Sequence, residues 1–250
     1  MNTKNSQRPT AEVQSLCIEN WKNVNGRVAD ACRKAGREPT SVRVVGVTKY
    51  VDTAGTRALY NAGCRDLGES RPQAFWEKAS TFAADDVSVQ WHVIGHLQRN
   101  KVPKTIPYNP IFHTIDSVRL AEAMSRSATE LSMVCEGLIE VNLSEDVGRS
   151  GVLPDRLLDS ASQILELSGV RIRGLMGMAS HPEAGRNPRQ EFAHLRELRD
   201  GLSNRFPEAG GLPELSMGMS GDYEDAVYEG STIVRIGSAL FHGVREEAKR

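Results

Sequence analysis

No cysteine pair in this chain has the spacing of a redox or zinc motif: Cys17, Cys32, Cys64 and Cys135 stand far apart, with no C-x-x-C. That excludes a dithiol site or a zinc knuckle and fits reduced thiols in a cytoplasmic protein. An excess of charge of one sign is missing too. With 31 Lys and Arg against 32 Asp and Glu, the net charge of -1 offers no global field to draw in nucleic acid or an anionic membrane. Long apolar runs are absent, so no segment reads as a spanning helix, and the polar start Met1 to Thr10 lacks the apolar core of a secretory signal. Residues 1–10 are expected to be a flexible N-terminus and residues 11–250 a single domain. The dinucleotide fingerprint G-x-G-x-x-G does not follow the first strand-like run either, which counts against an open doubly wound sheet.

What is present is alternation. From Ala11 to Lys34 the apolar Val13, Leu16, Cys17, Trp21, Val24, Val28 and Cys32 recur mostly at three- and four-residue steps and stop at Gly36, which predicts an amphipathic N-terminal helix. Short apolar runs follow at Val42–Thr48, Cys64–Gly68, Val89–Ile94, Ile111–Ile115, Met133–Val141, Val170–Leu175, around Leu215, and at Ile233–Ile236. Helix-like stretches separate them at Thr53–Ala62, Pro72–Ala83, Val118–Leu131, Pro154–Leu167 and Pro188–Phe206. Strands that alternate with helices eight times over 250 residues predict parallel βαβ units closed into an α/β (β/α)8 TIM barrel. Nearly every unusual polar cluster falls just after a predicted strand, the end at which barrel enzymes build their sites.

Two of those clusters complement each other. Lys49 ends the run Arg43-Val44-Val45-Gly46-Val47-Thr48, where partial burial lowers an amine's pKa and lets it condense with an aldehyde. Far downstream, Met217-Gly218-Met219-Ser220-Gly221-Asp222 and Gly230 to Ser238 are rich in glycine, serine and backbone N–H, which suits a phosphate. A lysine plus a phosphate cradle is the donor set that pyridoxal phosphate requires. Arg235 stands between Val234 and Ile236 in a strand buried on both faces, so its charge needs either an ion-pair partner or a ligand. Placed at the pyridine nitrogen, a permanently charged guanidinium keeps that nitrogen unprotonated and makes the ring a poor electron sink. Met176, Met178, Met217 and Met219 read as core fillers or as adaptable walls for a flat ring.

Other clusters have blander readings. His92 and His96 have the i,i+4 spacing of a helical metal pair, but Val93-Ile94-Gly95 between them reads as strand and turn, so no metal site is expected. Gly218-Met219-Ser220-Gly221-Asp222 lacks the second glycine of a nucleophile elbow. Arg99, Lys101 and Lys104 have no aromatics interleaved in sequence and read as a solvated helix start.

Taken together, Val45 to Lys49, Trp91 to Lys101, His113 to Ser117, Gly174 to Met178, Leu215 to Tyr223 and Gly230 to Phe241 resemble the YggS/PROSC-type pyridoxal-phosphate homeostasis proteins, whose fold is similar to the alanine racemase N-terminal barrel. The resemblance implies pyridoxal 5'-phosphate held as an imine on Lys49, phosphate contacts from Ser216, Ser220, Gly237 and Ser238, flanking Met176 and Met219, and Arg235 near the ring nitrogen. It implies a monomer that binds, buffers or supplies cofactor, with apo-enzymes as recipients, rather than a catalyst of robust turnover. Racemases of this fold draw a second acid/base tyrosine from an additional β domain, and these 250 residues contain no counterpart. The competing reading is a small racemase or lyase in which His92, His96 or Tyr223 serves the other face of the substrate. Three positions depart from the family pattern. Ser70 replaces the asparagine of Phe-Gly-Glu-Asn, His242 replaces the glycine of a closing Phe-Gly, and Arg149 replaces a lysine proposed as a secondary cofactor acceptor; arginine cannot form an imine.

Overall fold

A computed structural model describes residues 9–144 and 148–244. The N-terminal stretch expected to be flexible lies, through residue 8, outside the described residues. Eight parallel strands close in chain order into a barrel: β1 (Arg43–Val47), β2 (Asp66–Glu69), β3 (Gln90–Val93), β4 (Ile111–Ile115), β5 (Cys135–Val141), β6 (Val170–Gly177), β7 (Glu214–Ser216) and β8 (Ile233–Ile236). Closure is made by β1 against β8, with Val44 opposite Val234 and Val45 opposite Arg235. The predicted (β/α)8 barrel is therefore the observed one.

The helices are α1 (Ala11–Lys34), α2 (Thr53–Asn61), α3 (Pro72–Ala84), α4 (Val102–Thr105), α5 (Val118–Glu130), α6 (Leu157–Leu165), α7 (Pro188–Arg205) and α8 (Tyr223–Tyr228). Their starts follow local chemistry. Thr10 accepts from Val13 N at 3.2 Å to cap α1, Asp52 accepts from Gly55 N at 2.9 Å to cap α2, and Ser117 caps α5. The helices α4 and α8 were not expected, because a stretch of four or six residues is too short to display a 3.6-residue period. Strand β2 begins two residues later than predicted. Cys64 belongs to the turn that leaves α2, where Gly63 has φ 116° and the Cys64 thiol donates to Asp66 O.

Two features of this scaffold bear on the site. The N-terminal helix α1 packs against α2 and α8, and its Asn20 amide donates to Leu240 O and His242 O, pinning the turn that follows β8. Helix α3 is anchored by Phe75, which meets Trp91 and Tyr108 edge-on at 5.7 and 5.5 Å. Such pairs contribute about 0.5–1.5 kcal/mol each beyond their buried area.

The barrel interior is only partly apolar. Val45, Leu138, Met176 and Ile233 form a small central cluster, and buried polar side chains, among them His92, His113, Ser216, Arg235 and Glu140, share the interior with it. Barrels are usually filled by branched aliphatics, so this polar content asks for a reason. All four cysteines are free and buried, and burial pushes the Cys64 thiol up to about 12, far from reactive. No described helix is long and apolar enough to cross a membrane.

Candidate functional site

The strand β1 delivers Lys49 to the C-terminal rim. Thr48 N donates to Gly68 O at 2.8 Å, continuing the β1–β2 ladder, and the chain then turns through a Val51 N to Thr48 O bond into α2. This geometry leaves Lys49 half-buried, with its Nζ 4.9 Å from the centre of the Tyr50 ring. Its backbone is held from below by a group that sequence reading missed. The Lys78 ammonium on α3 reaches Thr48 O at 2.9 Å and Glu69 Oε2 at 2.7 Å, while Glu69 Oε1 accepts from the backbone N–H groups of Ser70 and Arg71. The Arg71 guanidinium donates to Lys49 O.

Lys49 opens onto a cavity of about 340 Å³ that is also lined by Met219, Ser220, Arg235, Gly237 and Ser238. Six of the eight residues expected at the site thus meet around one opening. Its remaining lining includes Tyr50, Ser70, Ile94 and Met178. All four stand just past strand ends, the signal by which they were findable. The volume falls in the range of small-molecule sites. A larger cleft of about 550 Å³ sits beyond β3 and β4, lined by His96, Arg99, Asp116 and Arg119, but no lysine lines it.

On the β7 and β8 side the cavity is edged by unspent donors. Among the described residues, the backbone N–H groups of Ser220, Gly221 and Ser238, all lining the cavity, have no protein acceptor, nor has that of the next residue, Ala239, and Ser220 Oγ accepts from Gly237 N at 3.3 Å. Clustered N–H groups of this kind form an anion-binding nest. The turn that presents them is tight: Gly218 has φ 93°, and a Cβ there would come within 2.6 Å of Ala226 Cβ, so only glycine is accommodated. These free donors, together with the lysine opposite, fit a phosphorylated aldehyde.

Two expected residues do not reach the cavity. Ser216 is the last residue of β7 and lies wholly inside the barrel, where its Oγ is engaged by Arg235 Nη1 at 2.6 Å and His113 Nδ1 at 2.8 Å, so its hydroxyl is not available to a phosphate. Met176 likewise sits within β6 in the central apolar cluster; Met178, beyond the strand end, lines the cavity in its place. Arg235 does line the cavity, but among the described residues no carboxylate comes within ion-pair distance of it. It donates to Ser216 O at 2.8 Å and Gly177 O at 3.1 Å, with the charges of Asp222 and Glu140 acting at longer range. Desolvation pulls its pKa down to about 10, which still leaves it cationic at neutral pH.

The other candidates are dispersed. His92 is buried in β3, whereas His96 is exposed and bonded to Asp116 at 2.9 Å, so the two imidazoles face different partners. Tyr223 is buried on α8 under Arg27. Arg149 donates to Ala179 O. Trp76, from α3, lies under Lys104 at 4.2 Å and Lys101 at 5.9 Å, an aromatic neighbour of the basic cluster that only folding supplies.

His92 and His113 carry a testable pH signature. Burial lowers both pKa values, opposed at His92 by the facing Asp66 and Glu214 and reinforced by Arg43 and, at His113, by His92 and Arg235. The native state then refuses protons that the unfolded chain accepts below about 6.5, so their contribution to stability is full above that pH and declines as pH falls below it. Glu140 and Asp222, raised by burial, act in the opposite sense. Urea denaturation from pH 7 to 5 is therefore expected to lose stability more steeply in the wild type than in His113→Asn, by up to about 1.4 kcal/mol per pH unit.

Residues 28–244 match the family profile described as alanine racemase, N-terminal domain. A protein of Aquifex aeolicus named pyridoxal phosphate homeostasis protein is 39% identical over 223 residues, covering 89% of this chain and 96% of the relative. The chain belongs to the pyridoxal phosphate homeostasis protein family. Among solved structures, a protein from Bifidobacterium adolescentis superposes with a TM-score of 0.86 at 36% identity, covering 92% of this chain and 96% of the other. PipY of Synechococcus elongatus, solved with pyridoxal phosphate bound, superposes with a TM-score of 0.73 at 33% identity, covering 86% of this chain and 99% of PipY. Membership in the family agrees with the closed barrel.

Proposed function

We propose that this chain binds pyridoxal 5'-phosphate reversibly and serves cofactor homeostasis, holding it for storage or supply to apo-enzymes without robust turnover of its own. The observation that carries the reading is the meeting of Lys49 with the unspent backbone N–H groups of Ser220, Gly221 and Ser238 around one cavity. When bound, the cofactor supplies an aldehyde, which condenses with a neutral lysine amine and releases water, and a phosphate anion. Lys49 would hold the aldehyde carbon through Nζ. Ser220, Gly237 and Ser238, with the neighbouring N–H groups of Gly221 and Ala239, would hold the phosphate, and Arg235 would face the ring nitrogen.

Several features support binding over catalysis. A guanidinium that stays charged disfavours a protonated ring and with it the electron-sink chemistry of transaminases. His92, His96 and Tyr223, the residues considered for a second acid/base, do not line the cavity. Tyr50, Met178 and Met219 are each more than a third exposed around the mouth, an opening suited to release. The four free buried thiols support a cytoplasmic setting.

The test is an absorption spectrum of protein loaded with pyridoxal phosphate, before and after borohydride, paired with deuterium exchange at Cα of common amino acids. A near-visible band abolished by borohydride, with one phosphopyridoxyl group on Lys49 by mass spectrometry and no amino-acid exchange above background, is the expected result. Rapid Cα exchange that depends on Lys49 would replace this reading with that of a racemase or lyase.

A further inference from the structure

The polar residues that fill the barrel form one unbroken column. Arg235 Nη1 on β8 reaches Ser216 Oγ on β7 at 2.6 Å; Ser216 Oγ and His113 Nδ1 on β4 are 2.8 Å apart; His113 Nε2 and His92 Nδ1 on β3 are 2.8 Å apart; and His92 Nε2 lies 3.0 Å from Asp66 Oδ1 at the start of β2. The column runs from the cavity, which Arg235 lines, to the opposite, N-terminal end of the barrel, where Asp66 faces Arg43 at 3.7 Å and Arg43 faces Glu214 at 3.8 Å.

We propose that Ser216, His113, His92 and Asp66 are positioning residues for Arg235, a hydrogen-bonded column of single polarity through which the far end of the barrel sets the electrostatics of the Lys49 cavity. The polarity follows from the two ends. A guanidinium only donates, and an ionised carboxylate only accepts. Ser216 Oγ accepts from Arg235 and so turns its own proton toward His113 Nδ1. His113 then carries its proton on Nε2 and donates to His92 Nδ1, and His92 donates from Nε2 to Asp66. Every junction then donates in one direction, from Arg235 toward Asp66, with both rings neutral and in the Nε2–H form. A proton added to either ring puts hydrogen on His113 Nδ1, and the Ser216 hydroxyl proton is turned out of the column. Burial lowers the pKa of both rings, in keeping with the neutral pair.

A purely structural network would have no need to end on a cavity wall. Here the terminal donor is the residue that would meet the cofactor ring, so the column rests on the cofactor-binding reading for its consequence, though not for its geometry. Two measurements separate these. In cofactor-free protein, histidine nitrogen-15 spectra at pH 7 are expected to show both His92 and His113 neutral with Nε2–H, and Arg235 guanidinium protons are expected to exchange at least about tenfold faster in Ser216→Ala. An Nδ1–H or doubly protonated ring, or unchanged Arg235 exchange, overturns the column whether or not the cofactor binds.

In protein loaded with pyridoxal phosphate, Ser216→Ala is expected to move the pH midpoint of the bound-cofactor absorption band by about half a unit or more. Asp66→Asn is expected to move it as well, and that second shift is expected to vanish in the double variant, because the intervening hydroxyl is gone. An Asp66→Asn shift of equal size in both backgrounds would mean a through-space field and overturn the relay. If the wild type shows no band at all, the cofactor-binding reading fails, and the nitrogen-15 and exchange data alone decide the column.

Discussion

Lys49→Ala is expected to abolish the borohydride-trappable adduct while leaving the barrel folded. The side chain is half-buried, with Nζ 4.9 Å from the Tyr50 ring and no ion pair among the described residues, so its removal opens no cavity and strands no buried charge. Unfolding free energy should stay within about 0.5 kcal/mol of the wild type. Cofactor retention depends instead on the covalent link. Without it, the phosphate donors alone remain, and affinity should fall on the order of 100-fold, or about 2.7 kcal/mol. Equilibrium dialysis and intact-mass analysis after borohydride measure the two effects. An adduct that persists on another lysine would remove Lys49 as the anchor.

Lys78→Met is expected to act on the fold first and on the site through it. The Lys78 and Glu69 side chains are 4% and 0% exposed, so the substitution leaves a carboxylate inside the protein without its cation. Breaking a buried pair from one side typically costs about 3–5 kcal/mol, most of it the penalty of the stranded charge. The same change releases the Thr48 carbonyl, one residue before Lys49, so cofactor binding should weaken as well. A urea titration with unchanged m-value would report the stability loss. Converting Glu69 to Gln in the same protein should recover much of it, because the buried group is then neutral. A Lys78→Met protein as stable as the wild type would mean that Lys78 and Glu69 do not form a buried ion pair.

The depth of the barrel was harder to read from the chain than its rim. Lys49, Ser220, Gly237 and Ser238 were legible because each stands just past a strand, where the alternation of apolar and polar runs locates a C-terminal end. Ser216 and Met176 were misplaced for the complementary reason. Each is inside its strand, and period-two alternation shows that a residue faces the interior without showing at what height it sits. His113 and His92 carried one available signal, a histidine within each of two neighbouring buried strands, but their contact depends on barrel stagger, which no spacing within either strand encodes. Lys78 was hidden by its helix. Along α3 it looks like any solvated lysine, and only the docking of that helix through Phe75 turns it inward toward Glu69.

By itself the amino-acid order determined the number of strands, their parallel arrangement, the amphipathic leading helix, and the presence of an amine and a glycine- and serine-rich anion cradle at the same end of successive strands. These are consequences of local periodicity and turn chemistry, which act over a few residues. Closure of the barrel decided the rest: that β1 lies beside β8, that Arg235 is satisfied by carbonyl oxygens and a serine rather than a carboxylate, and that a single polar column links the cavity to Asp66. Such hydrogen bonds join residues of different strands, from 19 positions apart for Arg235 and Ser216 to 103 for His113 and Ser216, and their energies depend on a stagger and a desolvation that exist only once all eight strands have met.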